Sequence, residues 1–339
     1  MIEQIRNLCA LDGVSGHEQE ICRYLYDQLA VSPAEMEIVC DPLGNLLAHV
    51  KGKQRAEKRV MFAAHMDEVG LIITGITPEG FLRFTTVGGV DPAVLYGHRV
   101  RINGCCGVIG GKAVHMCTAE EKARLPEISQ MLIDIGAENE AMAAELVSPG
   151  DVAAFDSAFR ELPGELLQAK ALDDRAGCAL LLELVRSVPE YDITLAFTVQ
   201  EEIGLRGAKT ATFAVKPDIA VVVDATTAAD IAGVKGDKRV CCIGSGPVVS
   251  FMDRRTLYDK PLYDWIRCQA DEEGIPSQTK SLVAGGNDAG AIQLAGTGAR
   301  VAAVSLPCRY LHSPACVLSR EDLRHTSALL RILAARLPL

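Results

Sequence analysis

The chain has 339 residues, of which 49% are hydrophobic and 23% are charged, and its formal net charge is -10. This length allows two domains with sizeable cores, and the composition excludes a disordered or fibrous chain. The acidic balance argues against binding to nucleic acid or to anionic membranes, which would require clustered Lys and Arg.

The first residues, MIEQIRNLCALDGVSGHEQE, contain acidic and polar side chains where a secretory signal would have a basic start and an apolar run. No stretch approaches the ~20 apolar residues of a membrane-spanning helix. We therefore expect a cytoplasmic protein. The twelve cysteines include no C-x-x-C pair and are spread over a large chain, so we interpret them as reduced, small core residues.

In chain order, apolar residues at helical spacing predict helices over residues 2–12 and 17–30. A strand region at 38–50 and a buried strand at 59–64 follow. Between about 70 and 160, short alternating runs separated by Gly, Asn and Pro predict a small β-barrel. From residue 171 onward, apolar strands alternate with amphipathic helices, which is typical of a sheet covered by helices.

This order of elements predicts an α/β fold, a mixed sheet flanked by helices, with a small β-barrel inserted into it. We assign residues 1–69 and 161–339 to one discontinuous catalytic domain and residues 70–160 to the barrel. The chemistry-bearing residues named below all lie outside 70–160. We therefore do not expect the inserted segment to help build a functional site.

Five short polar groups stand out, and four of them follow an apolar strand. They are His65 with Asp67 after VMFAA, Glu201 with Glu202 after ITLAFTV, Asp224 after IAVVV, His312 soon after RVAAVSL, and Asp173 with Asp174 before the helix DRAGCALLLELV. Because the carboxyl ends of strands in open α/β sheets meet at one crevice, we expect these groups to share a site.

Two histidines and several carboxylates, without a cysteine ligand, suit a pair of zinc or cobalt ions. His65 can bind one ion while Asp67 orients its ring. Adjacent Glu201 and Glu202 point in opposite directions, so one can bind metal while the other acts as a base. Each group alone also has a structural interpretation, such as helix capping or a turn. Together, crowded carboxylates need cations to neutralise them, which favours the metal site.

The remaining histidines lack acidic neighbours at a strand end, and we interpret them as surface or packing residues. They are His17, His49, His98, His115 and His325. The turn Gly285-Gly286-Asn287-Asp288 lacks both a dinucleotide-binding pattern and a P-loop lysine. We interpret it as a tight turn whose backbone lines the substrate pocket.

The segments AAHMDEVG, KALDDRAG, TVQEEIGLRGA, VVVDAT, GGNDAGAIQLAGTG and SLPCRYLHSP follow one another along the chain. With these segments the sequence resembles the tetrahedral aminopeptidases, metallopeptidase family forty-two, over nearly its whole length. The resemblance implies an aminopeptidase with two zinc or cobalt ions, a metal-bridged hydroxide as nucleophile, and a cis peptide bond between Asp173 and Asp174.

The resemblance also implies a role for each site residue. Asp173 bridges both ions, His65 and Asp224 are ligands on opposite ions, Glu202 and His312 are the remaining ligands, Glu201 is the general base, and Asp67 orients His65. Two departures from the family pattern are the segment TAADIAGVKG after VVVDAT and Asn287 in place of a common Thr. The second affects only the expected substrate preference.

In the family that the chain resembles, the inserted barrel is a PDZ-like dimerisation domain, and dimers join into a tetrahedral dodecamer that admits short peptides. We therefore expect a homo-oligomer, from dimer to dodecamer, and interpret the apolar run at 93–96 as exposed interface.

Three alternatives remain open. A deacylase or carboxypeptidase would use a similar metal pair, but a carboxypeptidase must grip a substrate carboxylate with Arg or Lys. An endoglucanase, a label that some family members carry, would need two carboxylates flanking a sugar bond rather than a His-ligated metal pair. The intact Glu201 argues against a non-catalytic binding protein.

Overall fold

A computed structural model describes residues 1–337. Its α-helices are α1 Ile2–Ala10, α2 Gln19–Ala30, α3 Ala119–Lys122, α4 Glu140–Ala144, α5 Leu172–Leu184, α6 Arg206–Val215, α7 Lys260–Glu272, α8 Ala289–Ile292 and α9 Arg320–Arg336. Its strands are β1 Met36–Cys40, β2 Leu46–Val50, β3 Val60–His65, β4 Gly70–Ile76, β5 Leu82–Val87, β6 Arg99–Ile102, β7 Cys105–Gly110, β8 Leu132–Asp134, β9 Val152–Phe155, β10 Arg160–Leu162, β11 Leu166–Ala169, β12 Ile193–Thr198, β13 Ile219–Thr227, β14 Val248–Val249, β15 Arg300–Arg309 and β16 Cys316–Ser319.

The large sheet is mixed, and its centre is parallel. Its strands lie in the order β1-β2-β12-β3-β13-β15-β16-β11-β10, and β14 pairs with β15. The pairs β12–β3, β3–β13 and β13–β15 are parallel, so these four strands end at the same edge. The predicted fold class is confirmed. The strand region predicted at 38–50 is a hairpin, in which β1 pairs antiparallel with β2.

Both faces of the sheet are covered by helices that bury an apolar stripe. On one face, α1, α2, α5, α7 and α9 pack over strand residues such as Phe62 and Val304. On the other face, the shorter α6 and α8 pack over Met61 and Ala63. Because neighbouring residues of a strand point to opposite faces, alternation along β3 places His65 on the α6/α8 side. The ends of the central strands therefore carry their polar side chains toward one crevice.

The inserted barrel is closed, with the strand order β4-β5-β8-β7-β6-β9. Its own core contains Leu71, Val100, Ile133 and Phe155, all fully or almost fully buried. The interpretation of residues 93–96 as an exposed apolar run holds only in part. Ala93 and Tyr96 are exposed, but Leu95 is 0% exposed and Val94 packs against this core. Leu95 and Val94 therefore stabilise the barrel itself.

The cysteines are all free, but the expectation that they are core residues holds for only part of them. Five are buried, namely Cys9, Cys178, Cys241, Cys308 and Cys316, whereas the other seven are half-buried or exposed. Within residues 1–337, no helix has the length and apolar character needed to cross a bilayer.

Candidate metal centre

The side chains at the carboxyl edge of the sheet converge as the strand pattern predicts. His65 is the last residue of β3, and it lies beside Thr198 at the end of β12. Asp224 lies within β13, beside Ser305 of β15. Asp173 reaches the same crevice from the start of α5, where the Asp173-Asp174 bond is cis as expected. Widely separated segments thus place their polar groups around one point.

Asp173 lies at the centre of the cluster. Its Oδ1 is 3.1 Å from His65 Nε2, and its Oδ2 is 3.6 Å from His312 Nε2. His312 Nε2 is also 3.3 Å from Glu202 Oε2. The two oxygens of one carboxylate therefore face two different histidines, which is the arrangement of a bridging ligand.

Asp224 lies on the His65 side of the cluster. Its Oδ1 is 3.7 Å from His65 Nε2. Ligand atoms of His65, Asp174 and Asp224 lie within 4.8 Å of one another, as do those of His65, Asp173 and Glu202. His65 therefore lies close to Asp224 on one side and to Asp173 and Glu202 on the other, and the expected assignment of His65 and Asp224 to opposite ions stays a prediction.

Asp67 connects the two glutamates to the β3 loop. It is fully buried, and its Oδ1 and Oδ2 accept hydrogen bonds from the backbone N–H groups of Glu201 at 3.0 Å and Glu202 at 3.1 Å. Ser15 Oγ donates to Asp67 Oδ2 at 2.6 Å. His65 Nδ1 lies 3.1 Å from the Asp67 carbonyl and 3.4 Å from its carboxylate. Asp67 therefore fixes the backbone of both glutamates as well as the His65 ring.

The inserted segment does contribute to this site, contrary to expectation. His312 Nδ1 lies 2.7 Å from the carbonyl oxygen of Gly89, just after β5 of the barrel. When Nδ1 donates to this carbonyl, Nε2 is left unprotonated and faces Asp173 and Glu202 as a ligand. At neighbouring Gly88, with φ +83°, an added Cβ would lie 2.8 Å from Val69 Cγ1. The close approach of the barrel loop thus depends on glycine.

The electrostatics separate the acids into two groups. Burial raises the pKa values of Glu201, Glu202 and Asp224, and nearby carboxylates raise them further. Burial is also the largest single effect on Asp173 and raises its pKa, but hydrogen bonding to His65 together with the charges of His65 and His312 outweighs it, so the pKa of Asp173 is lowered. Burial would lower the pKa of His65, yet Asp173, Asp224 and Asp67 raise it well above its usual value. The single imidazole of His65 thus faces several carboxylic acids whose ionised forms are disfavoured by burial.

This donor set suits divalent cations. Carboxylates crowded in a buried crevice repel one another when ionised, and a cation among them removes that cost. Asp174 is fully buried, and its Oδ2 has no hydrogen-bond partner within the described chain. Imidazole nitrogens and carboxylate oxygens, without cysteine, are ligands that zinc and similar borderline ions accept.

Two further acids at this edge were missed by the sequence reasoning. Glu18, at the start of α2, is 4% exposed, and its Oε1 accepts from the N–H groups of Gly16 and Gln200. Asp288 accepts from Thr198 Oγ1 at 2.6 Å, and burial raises its pKa to about 7. The turn 285–288 therefore contributes a buried side chain as well as backbone. An acid directly before the apolar run AGAI was the signal for Asp288.

The remaining histidines lie outside the cluster. His17, His98 and His115 are exposed, while His49 and His325 are half-buried. This placement agrees with their interpretation as surface or packing residues.

Known proteins match this chain in sequence and fold over nearly its whole length. The sequence model of the M42 glutamyl aminopeptidase family matches residues 44–329. A putative aminopeptidase of Acetivibrio thermocellus is 39% identical and is matched over 97% of each chain. An aminopeptidase from the archaeon Desulfurococcus kamchatkensis superposes with a TM-score of 0.93 at 31% identity, covering 99% of this chain and 94% of that one.

A third similar protein is the TET1 peptidase of Pyrococcus horikoshii, which is described as assembling into a tetrahedron or a large octahedral shell. It is 35% identical, covers 99% of both chains and has a TM-score of 0.87. The family match, the relatives and the shared fold agree with one another. The chain therefore belongs to the M42 glutamyl aminopeptidase family, and it is a peptidase.

Proposed function

We propose that the chain removes N-terminal residues from short peptides with the help of two divalent ions, zinc or cobalt. His65, Asp224 and Asp173 would hold one ion, and Glu202, His312 and Asp173 would hold the other. The observation that carries this proposal is the position of Asp173, whose two oxygens face His65 and His312. This assignment differs from the expectation that His65 and Asp224 serve opposite ions, and the distance of 3.7 Å between His65 Nε2 and Asp224 Oδ1 favours it.

Such an ion pair, when bound, lowers the pKa of a water molecule toward neutrality and polarises the scissile carbonyl group. Glu201 takes a proton from the attacking water and delivers it to the leaving amine. Burial raises the pKa of Glu201, which suits a group that must both accept and donate a proton. Asp67 supports this step by fixing the Glu201 backbone, whose N–H donates to Asp67 Oδ1.

The kinds of side chain at the site favour substrates with a free amino group. A carboxypeptidase must hold the substrate carboxylate with Arg or Lys, whereas the side chains that converge here are carboxylates and imidazoles. This favours an aminopeptidase over a carboxypeptidase. The histidines in the cluster argue against an endoglucanase, which would use two carboxylates without a metal pair.

The test is a panel of aminoacyl-p-nitroanilides assayed with the metal-free protein, with added zinc and with added cobalt. We expect activity only after metal is added, and we expect N-acetylated versions of the same substrates to be resistant. Release of a C-terminal residue from an N-blocked peptide would favour a carboxypeptidase, and hydrolysis of carboxymethylcellulose would favour an endoglucanase. The panel also identifies the preferred N-terminal residue.

We propose further that residues 70–160 form a PDZ-like oligomerisation domain and that the chain assembles as a homo-oligomer, from dimer to dodecamer. The similarity to a tetrahedral peptidase over 99% of both chains supports this. Light scattering at working concentration tests it. A fully active monomer would refute the assembly while leaving the chemistry intact.

A further inference from the structure

A set of buried charges lies behind the metal-binding loops. Glu68 directly follows Asp67, and Lys170 and Arg175 lie on either side of Asp173 in the sequence. Glu68, Lys170 and Arg175 are 2%, 1% and 0% exposed, respectively. Charged side chains are almost never buried this completely unless they are paired. Their position beside two ligand-bearing loops therefore suggests a function.

Lys170 joins three segments of the chain. Its Nζ donates to Glu68 Oε1 at 2.7 Å and Oε2 at 3.0 Å, to Asp12 Oδ1 at 2.8 Å and to the Leu11 carbonyl at 3.0 Å. It thereby connects the loop after β3, the α1–α2 connection and the segment just before Asp173. No other single contact described above ties all three together.

Arg175 extends the same network to the backbone beside His65. Its Nε donates to the Met66 carbonyl at 2.8 Å, its Nη1 donates to the Leu8 carbonyl at 2.8 Å, and its Nη2 lies 3.4 Å from Glu68 Oε1. Met66 is the residue between His65 and Asp67. An added Cβ at Gly13 would lie 2.7 Å from Arg175 Nη2, so the glycine leaves room for the guanidinium.

The network also reaches the barrel. Arg101 of β6 donates to Asp12 Oδ1 at 2.7 Å and to Asp12 Oδ2 at 3.1 Å. Asp12 in turn accepts from Lys170. The ion-pair chain Arg101, Asp12, Lys170, Glu68 and Arg175 thus runs from a barrel strand to the loops that carry His65 and Asp173.

We propose that Lys170 is a positioning residue that, through Glu68 and Arg175, sets the spacing between the His65 loop and Asp173, and that Asp12 and Arg101 couple this spacing to the barrel. The proposal rests on the two-metal site proposed above. Buried side chains that fix metal ligands from behind typically change metal affinity by about 10–100-fold when removed. Removing one partner of a buried pair also leaves an uncompensated charge.

The test compares zinc binding by the metal-free full chain with and without Lys170, using calorimetry and the absorption spectrum of bound cobalt. We expect Lys170→Met to weaken zinc binding by about 10-fold or more and to alter the cobalt spectrum. Lys170→Arg, which restores the cation, should recover most of both. A purely structural lysine would lower the thermal midpoint without changing either readout, and that result would overturn the proposal.

If Lys170→Met does not fold, Arg101→Met tests the outer part of the chain, because the Arg101 side chain is 29% exposed. Arg99→Met is the matched control, since Arg99 is on the same strand and pairs with Asp156 rather than with Asp12. Weaker zinc binding in Arg101→Met alone supports the proposal, and equal binding in both variants refutes it. A wild-type chain that binds no ions would instead refute the two-metal site, and the positioning role with it.

Discussion

The two ends of the same parallel strands use acids in opposite ways. At the amino ends, Asp218 lies 3.3 Å from Arg59 and Asp259 lies 2.9 Å from Arg300, both at least partly exposed. Hydrogen bonds from these arginines lower the pKa values of both aspartates. At the carboxyl ends, burial raises the pKa values of Glu202 and Asp224.

The difference shows which acids need a partner from outside the chain. At the amino edge, arginines neutralise the acids, and such exposed pairs contribute little to stability. At the carboxyl edge, His65 and His312 are too few to neutralise the surrounding carboxylates, so these acids ionise together readily only when a cation lies among them. Cavity size alone would mislead, because a cavity of ≈ 700 Å³ lies at the amino edge, lined by Arg59, Asp218 and Arg300.

The largest effect should come from removing the base at the carboxyl edge. Glu201→Gln keeps the side-chain size but removes basicity, so we expect kcat to fall by about 10²–10⁴-fold with metal content unchanged. Glu202→Gln should lower metal content as well. Asp218→Asn, at the amino edge, is the control and should leave both unchanged. A wild-type rate in Glu201→Gln would show that Glu201 is not the base. If Glu201→Gln lost metal and Glu202→Gln did not, Glu201 would be the metal ligand and Glu202 the base.

A second effect should separate two buried aspartates that accept backbone hydrogen bonds. In Asp67→Asn, an amide N–H group faces the N–H groups of Glu201 and Glu202, so zinc binding should weaken by about 10–100-fold. Asp322, which accepts from the backbone of Gly244 and Gly246 rather than from that of the two glutamates, provides the matched variant Asp322→Asn. Both variants should lose thermal stability, but calorimetry should show weaker zinc binding only for Asp67→Asn. Equal zinc affinities would contradict the role given to Asp67.

In the barrel, two glycines at positive φ can be compared, and the expected effect on zinc binding is smaller. Gly88→Ala would push the loop away from Val69 and displace the Gly89 carbonyl from His312, so zinc binding should weaken by about 10-fold. Gly97 has φ +81° and open space around it, so an alanine there would have the same backbone strain without the clash. Gly97→Ala should therefore lose stability only. Unchanged zinc binding in Gly88→Ala would remove the barrel from the site.

The smallest expected effect is a pH-dependent change in the metal-free protein. The pKa values of Glu201, Glu202 and His65 are all raised, so their contributions to stability are present at low pH and are lost as pH rises. The thermal midpoint of chelator-treated protein should therefore fall between about pH 5 and about pH 8.

The lowered pKa values of Asp218 and Asp259 act only below about pH 4, so they do not obscure this trend. Added zinc should remove most of the decline, because a bound cation offsets the buried negative charge. If the thermal midpoint fell equally with pH in the presence and absence of zinc, the ions would not neutralise these carboxylates.

Sequence reasoning predicted the fold class because strand alternation and helix periodicity are local signals. It predicted the convergence of His65 and Asp224 because parallel strands end at the same edge. It did not predict how close individual side chains lie, since that depends on side-chain direction. The distance of 3.7 Å between His65 Nε2 and Asp224 Oδ1 follows only from the fold.

The residues that sequence reasoning missed act through contacts between distant segments. Lys170 and Glu68 meet across 102 positions, and Glu18 and Gln200 across 182, with no local pattern to announce either contact. Gly89 contributes only its backbone carbonyl oxygen to the site, and no side chain indicates this role in the sequence. Leu95 appeared exposed because the closure of the barrel around it is a tertiary feature.

A zinc titration of the metal-free protein, followed by calorimetry and by peptidase activity, tests the central claim most directly. The clustered donors around Asp173 predict two ions per chain and activity that is lost with a strong chelator and restored by zinc or cobalt. Saturation at one ion or none, with activity intact, would contradict the two-metal account.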